Sequence, residues 1–144
     1  MSDRGRALVE QVRDMVETEI APLDAEFHAE VGKHPSGDRF QHTDRQIEIL
    51  EGLKAKARGR GLWNFWLTAS DKGHGLSTVE YAYLAEEMGK VHLAAEVFNC
   101  NAPDTGNMEV LERYGAEWMK DRWLTRLLVG EIRSTYVMTE PDVA

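Results

Sequence analysis

The sequence has a single cysteine, Cys100, and only four prolines in 144 residues. One cysteine cannot form a disulfide within the chain, which excludes a disulfide scaffold and favours a reducing compartment, most simply the cytoplasm. The N-terminal stretch MSDRGRALVEQVRDMVE carries charges throughout, where a secretory signal needs an unbroken apolar core. No window approaches 18 uncharged apolar residues, so no membrane span is predicted.

Basic residues are also scarce: 17 Lys and Arg stand against 25 Asp and Glu, giving a formal net charge of -8. Such a chain repels phosphate backbones, so nucleic acid is not an expected partner. The five histidines show no HExxH spacing, and one cysteine is available to join them, so no metal site is expected. They are His28, His34, His42, His74 and His92.

What the sequence does contain is apolar residues at helical spacing, divided by glycines. Hydrophobic residues make up 42% of the chain, which is enough for one sizeable core. The first helix has its apolar residues at steps of three and four, with Pro22 kinking it or marking a boundary near it. This stripe consists of Leu8, Val12, Met15, Val16, Ile20, Leu23 and Phe27.

Capping boxes predict where the next two helices begin. Thr43 is followed three residues later by a glutamine and Ser77 by a glutamate, the pattern in which side chain and backbone satisfy each other's hydrogen bonds. The first of these helices runs toward Gly59. A fourth helix is predicted over about residues 91 to 113 and a fifth from Ala116 to about Val129, with Gly115 and Gly130 at the C-caps.

The predicted fold class is therefore all-α, an orthogonal or up-and-down bundle of about five to six helices. Near the end, the run STYVM (134–138) alone has the composition of a β-strand. A single strand cannot satisfy its own backbone donors and acceptors. We therefore expect this strand to need partners outside the chain.

Three stretches of the sequence resemble a known family. The order GHGLS, then YG, then GEIRSTYVMTEP (130–141) is similar to the N-terminal helical domain of the FAD-dependent acyl-CoA dehydrogenases, running into the first strand of their middle β-domain. On this resemblance, residues 1–132 form the helical domain and residues 133–144 begin a truncated β-domain. The stretch FNCNAPDTGNMEVLERYG (98–115) further resembles a subgroup related to animal proteins with an extra kinase-like domain.

The resemblance implies a reaction. Such enzymes convert an acyl-CoA thioester to a trans-2-enoyl-CoA, pass electrons to an electron-transferring flavoprotein and assemble as homo-oligomers, either dimers or tetramers. The glutamate that takes the substrate's α-proton is expected beyond the end of this chain, in a later domain. We therefore expect no catalytic base among these residues and no dehydrogenase activity from the 144-residue chain alone.

The resemblance also implies binding residues. Tyr136, Met138 and Thr139 are expected beside FAD, because a flavin needs hydrogen-bond donors at its polar edge and an apolar wall. Five residues are candidates for lining the acyl pocket, although ordinary core packing is an open alternative for them. They are Phe98, Asn99, Cys100, Asn101 and Met108. Two asparagine amides need polar partners, which would suit a more polar acyl chain.

Two further sequence features are expected to have structural roles and no role in catalysis or phosphate binding. The adjacent carboxylates Glu86 and Glu87 point apart on a helix and are expected on a solvated face, and KGHG is expected to be a turn. Two alternatives to a truncated dehydrogenase remain open: a stand-alone helical interaction module, and one piece of a split enzyme. An apolar patch including some of Trp118, Trp123 and Leu127 is expected to drive self-association.

Overall fold

The computed structural model of the chain describes residues 1–68, 70, 72–140 and 142. These described residues form six helical stretches and no strand. The all-α prediction is therefore confirmed. The chain divides into two compact units, Met1–Phe98 and Asn99–Ala144. Within the described ranges, none of the helices is both long and apolar enough to cross a membrane.

The first helical stretch is continuous but changes its winding. Helix α1 (Asp3–Met15) leads into a π-helical turn (Val16–Ile20) and then into α2 (Ala21–Ala29). Pro22 has no N–H to give to an α-helical hydrogen bond, and the wider π turn directly precedes it. The predicted boundary near Pro22 is thus confirmed, as the junction between the π-helical turn and α2. The buried face of the stretch is formed by Val9, Val12, Met15, Val16, Ile20 and Phe27.

Both predicted capping boxes are present, at the starts of α3 (Asp44–Gly59) and α4 (Thr78–Met88). In each, the hydroxyl of the N-cap residue, Thr43 or Ser77, accepts a hydrogen bond from the backbone N–H three residues later. The side chain of that later residue accepts the N-cap N–H in return. These helices bury Ile49, Leu50, Leu53, Ala57, Leu84 and Met88, whereas Ile47, Val79 and Tyr83 are exposed.

The N-terminal unit packs these helices around one core. Helix α1 contacts α4, α2 contacts α3, and both α3 and α4 contact the short helix α5 (Ala94–Val97). The rings of Phe65 and Phe98 meet in this core with centroids 5.8 Å apart. At the KGHG turn, a Cβ on Gly73 would lie 2.0 Å from the Leu67 carbonyl oxygen, so only glycine allows the chain to approach so closely.

The predicted fourth helix is wrong as a single element. The structure has α5 and then α6 (Asp104–Tyr114), separated by six non-helical residues. Asn99 lies in the left-handed region with φ 54°, which an α-helix cannot contain. Pro103 has no N–H with which to continue the helix from α5. The connection between these two helices is also where the two compact units divide.

The C-terminal unit contains the remaining helices. After α6 come α7 (Glu117–Met119), a second π-helical turn (Lys120–Leu124) and α8 (Thr125–Leu128), one continuous helical stretch as predicted for the fifth helix. Helix α6 contacts the π turn and α8. Met108, Leu124 and Leu127 are buried. Gly130 follows α8 with φ 74°, so the chain reverses there at a position that favours glycine.

Residues 133–140 carry neither helix nor strand. A β-strand is stabilised by ladder hydrogen bonds to a neighbour, and the described residues offer this segment no such neighbour. The predicted strand is therefore not formed here, in keeping with its expected need for outside partners. That residues 133–144 begin a further domain stays a prediction.

One side chain predicted to be exposed is buried instead. Glu86 is exposed as expected, but Glu87 is only 5% exposed and accepts a hydrogen bond from Arg13 at 2.8 Å as well as one from Lys90. The Arg13 hydrogen bond holds the pKa of Glu87 below its usual value despite burial. Arg13 lies 74 positions from Glu87 in the sequence, so this pairing has no local signal. Of the residues named as candidates for an exposed apolar patch, Leu127 is buried and Trp118 is 58% exposed.

Candidate functional site

The residues predicted to contact a cofactor lie in a segment that leaves the helices after α8. We call residues 133–140 the terminal segment. Before it, the Gly130 reversal is stabilised by an ion pair between Arg126 and Glu131 at 2.7 Å. A backbone hydrogen bond from Glu131 N–H to the Arg126 carbonyl, 2.9 Å long, closes the same turn. The turn sends the chain back toward α6.

The terminal segment is held to α6 by four side chains, which we call the Asp104 clasp: Asp104, Asn107, Arg133 and Ser134. Asp104 is only 1% exposed. Its Oδ1 accepts hydrogen bonds from the Ser134 N–H at 2.7 Å and the Ser134 hydroxyl at 2.6 Å, and its Oδ2 accepts one from Arg133 Nε at 2.5 Å. Asn107 Nδ2 donates to the Ser134 hydroxyl at 2.9 Å and to the Thr135 carbonyl at 3.2 Å.

The charge state of Asp104 follows from these contacts. Burial on its own would raise the pKa of the carboxyl group, because it penalises the charged form. Hydrogen bonds from the Ser134 hydroxyl and N–H and from Arg133 favour that form and outweigh burial, so the pKa of Asp104 lies below its usual value. The clasp therefore contains a carboxylate at neutral pH.

A cavity of about 400 Å³ opens in the C-terminal unit next to the clasp. A second cavity of about 430 Å³ shares Asn107, Val110 and Tyr136 with the first. The first is walled mainly by apolar side chains, with Arg133 and Ser134 supplying polar groups. The apolar wall consists of Val110, Leu111, Trp123, Leu127 and Ile132. This combination suits a ligand or protein surface that is mostly apolar with a few polar atoms.

The three residues predicted to contact FAD are accessible. Tyr136 is 66% exposed and Met138 is 74% exposed, and Thr139 is exposed as well. Tyr136 also lines both cavities. Pro141, the last residue of the quoted motif, lies outside the described residues. A phenol, a thioether, a hydroxyl and backbone N–H groups are the groups that could meet the edge and face of a planar polar ring.

The five candidate pocket residues are mostly internal. Phe98 belongs to the core of the N-terminal unit, and Cys100 and Met108 in the C-terminal unit are buried. Asn99 is buried and its Nδ2 donates to the Leu127 carbonyl at 3.1 Å. Asn101 is half-buried and its Nδ2 donates to the Ala102 carbonyl at 3.4 Å. None of the five lines either cavity, and their role with substrate stays a prediction.

Sequence reasoning missed the Asp104 clasp. The run APDTGN, with aspartate just after a proline, is a typical start for a helix and gives Asp104 a local role at the helix N-terminus. Its actual partners lie about 30 positions later in the sequence. A pairing of that kind has no local signal, although a buried aspartate always needs partners.

Comparison with known proteins is consistent with the resemblance. The sequence profile described as "Acyl-CoA dehydrogenase, N-terminal domain" matches residues 2–131. The mouse protein named acyl-CoA dehydrogenase family member 10 is 46% identical over 149 residues, which cover 100% of this chain and 13% of that protein. A Mycobacterium tuberculosis protein named as a probable acyl-CoA dehydrogenase is 53% identical over 97 residues, covering 67% of this chain and 23% of its own length.

A solved structure agrees as well. It is that of a Mycobacterium abscessus protein assigned to the acyl-CoA dehydrogenases, and it superposes on this chain with a TM-score of 0.84 at 48% sequence identity. The match covers 99% of this chain and 36% of that one. This chain therefore spans about a third of the solved relative, and a quarter or less of each of the two curated relatives.

Proposed function

The chain belongs to the acyl-CoA dehydrogenase family through its N-terminal domain, and from that premise we propose that it serves as the N-terminal part of an FAD-dependent acyl-CoA dehydrogenase. The whole enzyme converts an acyl-CoA thioester to the trans-2-enoyl-CoA. The observation that carries this proposal is the match to the family profile over residues 2–131. The mouse family member 10 protein supports it further, because it aligns with the whole chain.

FAD, when bound, supplies a ring that accepts hydride from the substrate's β-carbon. The terminal segment fits such a ring in its chemistry. Its Thr139 hydroxyl and its backbone N–H groups can donate hydrogen bonds to the ring's polar edge. Tyr136 and Met138, both largely exposed in this chain, can form the apolar wall. These residues would hold and orient the flavin and exclude water from it.

We place the acyl chain of the substrate against Phe98, Asn99, Cys100, Asn101 and Met108. The proposal is supported by their position on the connection before α6 and along that helix. The side-chain amides of Asn99 and Asn101 are the polar groups that would meet a polar acyl chain.

The remaining parts of the proposal concern the whole enzyme. The catalytic base is a glutamate of a later domain, the electron acceptor is an electron-transferring flavoprotein, and the enzyme is a homo-oligomer, a dimer or a tetramer, in the cytoplasm. The 144-residue chain alone carries out no dehydrogenation, since proton removal and most flavin contacts belong to those other parts.

One experiment tests the reaction. A form of the protein extended to the length of the solved relative is purified with FAD and mixed anaerobically with a series of acyl-CoA thioesters. We expect loss of the flavin's visible absorption and formation of the matching 2-enoyl-CoA, with neither change for the 144-residue chain. No flavin reduction by any acyl-CoA in the extended form would overturn the proposal.

A second candidate function, a helical interaction module, is favoured by one observation. Several large apolar side chains of the C-terminal unit are exposed, among them Val110, Tyr114, Trp118 and Val129. Such a surface suits a protein partner. This function predicts a stable complex with another polypeptide while the extended form binds no FAD, whereas a split enzyme predicts flavin reduction only after a second polypeptide is added.

A further inference from the structure

We infer that Asp104 is a positioning residue. Its buried carboxylate fixes the course of residues 133–135 and thereby determines where Tyr136 to Thr139 stand. The link to FAD rests on the proposed function, while the effect on the terminal segment does not. No residue of the Asp104 clasp was among the predicted binding residues.

Asp104 is fully occupied by the terminal segment. Both of its carboxylate oxygens are used, one by Ser134 through two hydrogen bonds and the other by Arg133. In the described part of the chain, its side-chain hydrogen bonds run to Arg133 and Ser134. A buried carboxylate needs several good donors to offset its loss of hydration, and here all of them come from two consecutive residues.

Asn107 lies three residues after Asp104 and therefore on the same face of α6. Its amide nitrogen donates to the Ser134 hydroxyl and to the Thr135 carbonyl. Residues 133 to 135 are thus each tied to α6 by at least one hydrogen bond. The direction of the backbone is fixed as well as its position, because Ser134 N–H and Thr135 C=O both take part.

The residues predicted to contact FAD begin only two positions after Ser134. An extended chain advances about 3.3 Å per residue, so Tyr136 lies within about 7 Å of Ser134 along the backbone. Asn107 and Tyr136 line the same cavities. Among the described residues, hydrogen bonds hold residues 133–135 of the terminal segment to α6, whereas Tyr136, Val137 and Met138 are largely exposed. Residues 133–135 are therefore the last residues held to α6 before those predicted to contact the flavin.

The test compares Asp104→Asn with Glu109→Gln in the 144-residue chain. The first keeps the side chain's shape, removes its charge and turns a donor toward Arg133. The second removes one charge from the same helix at an exposed residue that pairs with Arg113 at 2.7 Å. Amide hydrogen exchange is measured for the Ser134 N–H, which donates to Asp104, and circular dichroism confirms that the helices are retained.

We expect exchange of the Ser134 amide to rise at least about tenfold in Asp104→Asn, the loss of about one hydrogen bond to a charged group. Glu109→Gln should leave it unchanged. Asn107→Ala should raise the exchange rate by a smaller factor. Asn107 is half-buried and alanine favours the helix, so this variant provides the test if Asp104→Asn fails to fold. Equal exchange rates in wild type, Asp104→Asn and Asn107→Ala would overturn the inference.

The same variants in the extended form test the link to FAD. We expect Asp104→Asn to weaken FAD binding about tenfold and to shift the bound flavin's absorption spectrum, with Glu109→Gln matching wild type. Wild-type binding with an unchanged spectrum in Asp104→Asn would overturn the link to FAD. If the wild-type extended form binds no FAD, the proposed function is wrong, and hydrogen exchange alone decides whether Asp104 positions the segment.

Discussion

At the scale of single residues, Glu80 connects the starts of two helices. Its Oε1 accepts hydrogen bonds from the N–H and hydroxyl of Ser2, the N-cap of α1, at 2.8 and 2.6 Å. Its Oε2 accepts from the N–H and hydroxyl of Ser77, the N-cap of α4. These hydrogen bonds, those from Ser2 first, lower the pKa of Glu80 from its ordinary value of 4.5 to about 2.

This shift makes a prediction about acid stability. Because the folded-state pKa is lowered, Glu80 stabilises the fold above pH 4.5, and the contribution is lost as the pH falls toward 2. Glu80→Gln should therefore unfold at a lower temperature than wild type at neutral pH, and the difference should vanish near pH 2. Glu86→Gln, on the same helix, is the control. A difference that persists unchanged at low pH would contradict the assignment.

Gly5 is a second residue whose role depends on Glu80. A Cβ on Gly5 would lie 2.7 Å from Glu80 Oε1, which is held in place by Ser2. Gly5→Ala should therefore lower the free energy of unfolding, although alanine is the better helix former. Gly52 in α3 has no atom within 4 Å of such a Cβ, so Gly52→Ala should raise that free energy by about 0.5 to 1 kcal/mol.

Chemical denaturation of both glycine variants measures these changes. The informative comparison is between the two, because the change in side chain is identical and only the surroundings differ. Stabilisation of similar size in both variants would mean that the Glu80 carboxylate moves aside freely, which is contrary to its role as a connection between the two N-caps.

At the scale of elements, local signals predicted the helices well and the break between α5 and α6 not at all. The capping boxes at Thr43 and Ser77 are complete within four residues, so the sequence contains all that is needed to recognise them. The turn at Asn99 depends on a left-handed backbone and on a hydrogen bond to the Leu127 carbonyl, 28 residues away. Apolar spacing through Val97 and Met108 concealed it.

The contribution of Asn99 at this break to the free energy of unfolding can be measured. Asn99→Ala loses that hydrogen bond and places a less tolerant residue at φ 54°, so we expect a loss of about 2 kcal/mol in the free energy of unfolding. Asn99→Gly should lose about half as much, because glycine tolerates the backbone. The control is Asn101→Ala, half-buried with one 3.4 Å hydrogen bond, for which we expect less than about 0.5 kcal/mol. Equal losses at the two asparagines would contradict this account.

At the scale of the whole molecule, exposed apolar side chains and net charge act in opposite directions. Tyr114 is 81% exposed and Trp118 is 58% exposed, while the chain carries a formal charge of -8. Apolar surface favours association, and like charge opposes it through a repulsion that salt screens. We therefore expect the 144-residue chain to self-associate, and more strongly as salt is added.

Sedimentation velocity over a range of concentrations checks this prediction. Replacing Tyr114 and Trp118 together with glutamine should shift the chain toward monomer. Phe40 in the N-terminal unit is 85% exposed, and Phe40→Gln is the matched control that should leave association unchanged. A monomer at every concentration and salt level would show that these side chains do not form an association surface.

The site could be predicted only in part. The residues expected beside FAD were recognised from the motif GEIRSTYVMTEP, and the structure leaves their side chains accessible. What fixes that segment could not be predicted, since Asp104 and Ser134 are 30 positions apart and only the fold brings them together. The burial of Glu87 was missed for the same reason, because Arg13 is 74 positions away.

The most direct test of the central claim is FAD binding. Flavin fluorescence is titrated with the 144-residue chain and, in parallel, with the form extended to the length of the solved relative. If this chain is one part of a flavin-dependent dehydrogenase, the extended form binds FAD and the 144-residue chain does not. Binding by neither form, or equally tight binding by both, would contradict the account of where the flavin site is built.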